Sequence, residues 1–163
     1  MRLLLVIVMF LTSAVETAGA AERDLLNKKA PEFTLQDQYD RTVALHGLEG
    51  RIVVLLANDR EGSARNSAWQ KAIIEKYGDS ITFLGLADVS SAPFFLKGKI
   101  KNDFKKNESI LLDWKGEVFA AYGLAKKVSN IIVIDKQGYI RYVNAGAATP
   151  AAIASLFAAI DSL

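Results

Sequence analysis

The sequence predicts one α/β domain behind a short N-terminal leader, and three observations carry that reading. Residues 52–57 (IVVLLA) form a bounded apolar run rich in β-branched side chains, the pattern of a strand covered on both faces. The next segment puts Trp69, Ala72, Ile73 and Tyr77 on one helical face, and Gly78 stops it before a second apolar run at 81–87. A strand, a helix and a strand in that order make a βαβ unit, for which a right-handed crossover is expected. Farther on, the apolar runs 130–134 and 139–143 flank the turn-forming Asp135-Lys136-Gln137-Gly138, which reads as a hairpin.

The first twenty residues are expected to lie outside the fold. Arg2 supplies a positive start, residues 3–11 are an unbroken apolar core, and Ala18-Gly19-Ala20 offers a small-x-small cleavage site. A spanning helix needs roughly 20 apolar residues, so this core is too short to be an anchor. Residues 1–20 therefore read as a signal peptide and 21–163 as the mature domain, exported to a periplasm and without stable membrane insertion once the leader is removed. The chain has no cysteine, which excludes a disulfide framework, a thiolate metal site and a lipidated N-terminal cysteine. Its formal charge of +2 gives no support to nucleic-acid binding.

The remaining elements follow in order. Phe33-Thr34-Leu35 is a short strand whose partner is 42–45 across the turn Asp37-Gln38-Tyr39-Asp40. Ser63 is placed to cap the helix that carries Trp69. After the polar loop 88–93, Leu96, Ile100 and Phe104 recur every fourth residue in a helical stretch over 94–104 that Gly98 weakens. Residues 110–112 form a short strand and 118–122 a brief helix. Thr149-Pro150 caps and opens a last helix whose buried stripe is Ile153, Leu156, Phe157, Ile160 and Leu163.

Three stretches resemble the redoxin branch of the thioredoxin-like proteins, which includes peroxiredoxins and periplasmic thiol-disulfide oxidoreductases. They are Ala30-Pro31-Glu32-Phe33-Thr34-Leu35 with the following 40–43, Gly50-Arg51-Ile52-Val53-Val54-Leu55, and VSNIIVIDKQGYI at 128–140. The ending IIVIDKQGYIRYVNAGAATPAAIASL is similar to that of the cysteine-less YtfJ-type periplasmic proteins. The resemblance implies a central mixed sheet with helices on both faces and an N-terminal hairpin. In that family the loop after the central strand carries the redox cysteines and a cis-proline faces them. Here the aligned loop 59–65 has no cysteine, and the aligned proline position is Ser129.

Thiol exchange needs a thiolate, so an inherited site could act only by binding or by other chemistry. Asn58, Asp59, Arg60, Glu61, Ser63 and Arg65 cluster where a strand ends and a helix begins, a place that favours anions. Arg60 or Arg65 could grip a carboxylate or phosphate with two hydrogen bonds. Alternatively, Asp59 and Glu61 satisfy the helix end themselves and pair with the arginines. His46, the only histidine, has no triad partner tied to it by motif, and no metal-binding or nucleotide-binding pattern is present, so no metal or cofactor is expected. Lys97, Lys101 and Lys105 share a helical face with Lys99 and Lys106 nearby; this reads as a solvated face or as a stripe that meets an acidic partner or anionic lipid. Trp69 and Trp114 read as packing residues.

The function these features predict is an exported, redox-inactive thioredoxin-fold protein that binds a protein, a peptide or a small anion at loop 58–65, with Ser129 beside it. Two alternatives stand next to it: a non-thiol enzyme using Asp59-Arg60-Glu61, with or without His46, and a structural subunit of a redox assembly whose partner supplies the thiols.

Overall fold

A computed structural model describes residues 25–106 and 108–163; the leader expected over 1–20 lies outside the described residues. Its main sheet has the order β5-β4-β3-β6-β7. The central strand β3 (Val53–Asn58) is buried along its whole length, as its unbroken apolar sequence requires. It pairs in parallel with β4 (Thr82–Asp88), which pairs in parallel with β5 (Ile110–Asp113). On its other side β3 runs antiparallel to β6 (Asn130–Ile134), and the hairpin partner β7 (Ile140–Ala145) completes a mixed sheet.

Alternate residues of β3 feed two cores. Val54 and Leu56 point to the side where α1 (Asn66–Tyr77) and α4 (Pro150–Asp161) lie, joining Trp69, Ile73, Leu156 and Ile160. Val53, Leu55 and Ala57 face the other side, with Phe119 and Val118 of α3 (Glu117–Ala121), Tyr122, Phe33 and Leu45. Burying each large apolar side chain stabilises the fold by about 1.5–3 kcal/mol, so β3 draws on both layers at once. The expected helices on both faces are therefore present.

The N-terminal hairpin is also as expected: β1 (Thr34–Gln36) pairs antiparallel with β2 (Thr42–Ala44). The segment leading into it and the turn after β1 tie down the two edges of the main sheet. Asn27 and Lys28 exchange backbone hydrogen bonds with Ile140 on β7, and Asp37 bridges to Leu111 on β5. Asp37 sits fully buried, accepting N–H groups from Tyr39 and Arg41, the Arg41 guanidinium at 2.8 Å and the Ser109 hydroxyl at 2.8 Å. Edges held in this way are protected from pairing with another chain. The 94–104 stretch starts with one 3-10 turn at Phe94–Leu96 and continues as α2 (Lys97–Phe104), with Leu96, Ile100 and Phe104 half-buried as their spacing predicted.

One helix start differs from the expectation. Ser63 does not cap α1: a 3-10 turn over Gly62–Arg65 intervenes and α1 begins at Asn66. The Ser63 hydroxyl donates to the Arg60 carbonyl at 2.7 Å, so it closes the loop locally and caps no helix amide. The expected cap of the last helix does form, with Thr149 accepting from the Ala152 N–H and Pro150 in the first position.

Candidate functional site

Because β3, β4 and β5 run in parallel and β6 runs against them, four segments converge at one end of the sheet. These are the end of β3 with loop 58–65, the ends of β4 and β5 at Asp88 and Asp113, and the approach to β6 at 125–129. In α/β sheets this is the end where ligands collect. The sequence placed Asn58, Asp59, Arg60, Glu61, Ser63, Arg65 and Ser129 here, and the fold brings them to this one end.

Polar side chains interlock across it. The Asn66 side-chain amide donates to Asn58 Oδ1, and the Ser129 hydroxyl donates to Asn66 Oδ1 at 2.7 Å. Ser129 is fully buried and Asn58 nearly so. Asn58 in turn donates to the Asp59 carbonyl at 2.8 Å. Asn130, the first residue of β6, accepts the Ala125 N–H at 2.9 Å and donates to the carbonyls of Ala57 and Ala125. Each buried amide or hydroxyl of this cluster thus has a partner, as burial demands.

Asp59 locks the loop to the facing segment. One carboxylate oxygen accepts the Gly62 N–H at 2.8 Å and the other accepts the Lys127 N–H at 2.9 Å. Gly62 lies so close to the Val128 backbone that a Cβ there would meet the Val128 carbonyl oxygen at 2.3 Å. The first-turn amides are consequently not all open to a ligand: Asp59 takes those of Gly62, through its side chain, and Ser63, through its carbonyl.

The charges sort differently from the expected acid–arginine pairing. Glu61 pairs with Lys127 at 3.3 Å, both exposed, and Asp59 is committed to backbone. Among the described residues, Arg60 and Arg65 are exposed and have no acidic partner. Nearby, Lys126 pairs with the nearly buried Asp88, which also accepts the Ser90 N–H at 2.9 Å. Burial raises the Asp88 carboxyl, but the bonds from Lys126 and Ser90 outweigh it and hold the group below its ordinary value of 3.8.

His46 is elsewhere. It follows β2 and precedes β3, so it lies at the opposite end of a strand roughly 20 Å long. Its Nδ1 is 3.8 Å from Glu32, beside a pocket of about 20 Å³, room for about one water. Trp69 is a core residue whose indole N–H donates to the Gly146 carbonyl at 3.0 Å. Among the described residues no three His, Cys, Asp or Glu side chains are grouped to hold a metal ion. A separate open hollow of about 670 Å³ lies between the N-terminal hairpin, β5 and α3.

Asn66, Asn130, Lys126 and Lys127 were not singled out from sequence. Asn130 did leave a signal, since an amide opens an otherwise apolar strand. Asn66 left none, because its partner Ser129 is 63 residues away.

Fold and site together define a cysteine-less chain with a thioredoxin-like fold. Its fold is shared with an exposed lipoprotein thioredoxin of Streptococcus pneumoniae strain TIGR4 (TM-score 0.66, 19% identity, 82% of this chain and 100% of that one). A DsbF homologue from Corynebacterium diphtheriae is similar too (TM-score 0.62, 24% identity, 83% and 86%). So is the thioredoxin domain of a thiol-disulfide oxidoreductase from Bacteroides vulgatus (TM-score 0.55, 18% identity, 73% and 87%). Residues 92–163 match the model of a family described as "Bacterial protein of unknown function (YtfJ_HI0045)". That region runs from α2 through α4 and contains Ser129, whereas loop 58–65 precedes it. No curated protein matches the chain.

Proposed function

We propose that this chain is an exported thioredoxin-fold protein that binds instead of exchanging disulfides, and that it takes an anionic group at loop 58–65. The anion is a carboxylate or phosphate carried by a protein, a peptide or a small molecule. The observation that carries this reading is the division of charge in the loop. Asp59 and Glu61 are engaged elsewhere, and Arg60 and Arg65 are left exposed without acidic partners among the described residues. A guanidinium in that state is suited to a two-point grip on an oxyanion. The interlocked Asn58, Asn66 and Ser129 hold the loop in shape, which lowers the ordering cost of binding.

Non-thiol catalysis has less support. Both Asp59 oxygens accept backbone N–H groups, and His46 stands at the far end of the sheet, so no base and nucleophile meet. Export is favoured by the leader pattern of residues 1–20 and agrees with a fold neighbour that is an exposed lipoprotein.

The test joins two measurements on the purified chain: insulin-disulfide reduction with peroxide consumption, and an NMR titration with acetate and inorganic phosphate. The expected result is no turnover, with amide shifts confined to 58–65 and 126–129. Turnover without added thiol, or shifts spread evenly over all surface amides, contradicts the reading.

A further inference from the structure

We propose that Phe94 and Phe95, with the lysines of α2, form a docking site for an anionic bilayer surface. Both phenylalanines are 81% exposed, while no other large apolar side chain among the described residues exceeds 45%. Two adjacent rings in water are an unusual feature for a soluble domain and mark a contact surface. They follow Pro93 on the single 3-10 turn Phe94–Leu96, a projecting corner just beyond the loop that leaves β4. The half-buried Leu96, Ile100 and Phe104 face inward, so the corner's apolar surface is additional to the face that packs.

The charge around the corner names the partner. Residues 94–106 contain five lysines and one aspartate. Lys97 bridges the Phe94 and Trp114 rings, at 5.0 and 4.9 Å from their centroids. Lys99 pairs with Asp103 at 2.7 Å and Lys101 with Asp40, whereas Lys105 and Lys106 are exposed. Exposed aromatic rings at the start of a lysine-rich helix, with Lys97 linking Phe94 to a half-buried tryptophan, suit a membrane interface. A folded acidic protein would need a matching cavity for the rings; a headgroup layer accepts them without one. Each lysine near an anionic surface strengthens attachment about fivefold, an effect that salt screens.

The absence of cysteine makes the test specific. Phe95→Cys carries an environment-sensitive fluorophore at that position alone, with Glu75→Cys on α1 as the control. The full chain is mixed with vesicles of phosphatidylcholine, with or without phosphatidylglycerol, at low and high salt. The label at 95 is expected to shift to the blue with phosphatidylglycerol vesicles at low salt, while the label at 75 stays unchanged. In vesicle sedimentation, F94S/F95S and K105E/K106E are each expected to weaken binding about tenfold or more. These positions are exposed, so circular dichroism should show the fold intact. The proposal is overturned by a silent label at 95, by equal response to neutral vesicles, by unchanged sedimentation of F94S/F95S, or by a shift that polyglutamate alone reproduces.

Discussion

The Ser129 hydroxyl donates to Asn66 Oδ1 at 2.7 Å and so ties the start of the hairpin to the first residue of α1. Ser129→Ala leaves the half-buried Asn66 amide oxygen without that donor, a loss of about 1–2 kcal/mol in urea unfolding. Asn66→Ala also frees Asn58 and should cost more. Since the two share one bond, the double variant should be less destabilised than the sum of the singles. Simple additivity would show that the bond contributes nothing.

Gly62 is needed for space and not for an unusual backbone angle. Gly62→Ala would push its Cβ into the Val128 carbonyl, 2.3 Å away, and backbone cannot step aside as a flexible side chain does. A destabilisation of about 2–3 kcal/mol is expected, with amide shifts at 127–129 in NMR spectra. Wild-type stability in this variant would mean that the two segments do not approach so closely.

Lys126→Met removes the cation beside Asp88. Lys126 is more than half exposed, so the cost at neutral pH is modest, about 1 kcal/mol. The sign with pH is fixed by the depressed Asp88 carboxyl. A group lowered by folding contributes stability above its unfolded value of about 3.9, and that contribution is lost as pH falls through the folded value. Wild type and variant should therefore differ in thermal midpoint at pH 7 and converge well below pH 4. A gap that persists in strong acid would assign the effect to Lys126 packing on the Phe119 ring, 4.4 Å away.

The legible parts of this fold were those set by local pattern. The runs at β3 and β6 could be read because strands buried on both faces need continuous apolar sequence, and the hairpin because Asp135 to Gly138 has turn chemistry. Thr149-Pro150 named its helix start correctly. Ser63 did not, because a serine before a helix bonds equally well to a carbonyl three residues back, and only the path of the loop decides. The candidate residues could be grouped at one end of the sheet from chain order, but their internal wiring was not legible. That Glu61 would choose Lys127 over an arginine, and that Asn66 would meet Ser129, depends on how the 125–129 segment lies over loop 58–65. The opposite position of His46 was implicit in chain order, since it precedes β3 and the loop follows it.

Arg60 and Arg65 are proposed to make loop 58–65 an anion-binding surface. The most direct measurement is an NMR titration with inorganic phosphate of the wild type, of R60Q/R65Q, and of Arg51→Gln as a control near the start of β3. Saturable shifts at 58–65 are expected in the wild type and the control, with affinity reduced about tenfold in R60Q/R65Q. Equal affinity in all three proteins would contradict the proposal.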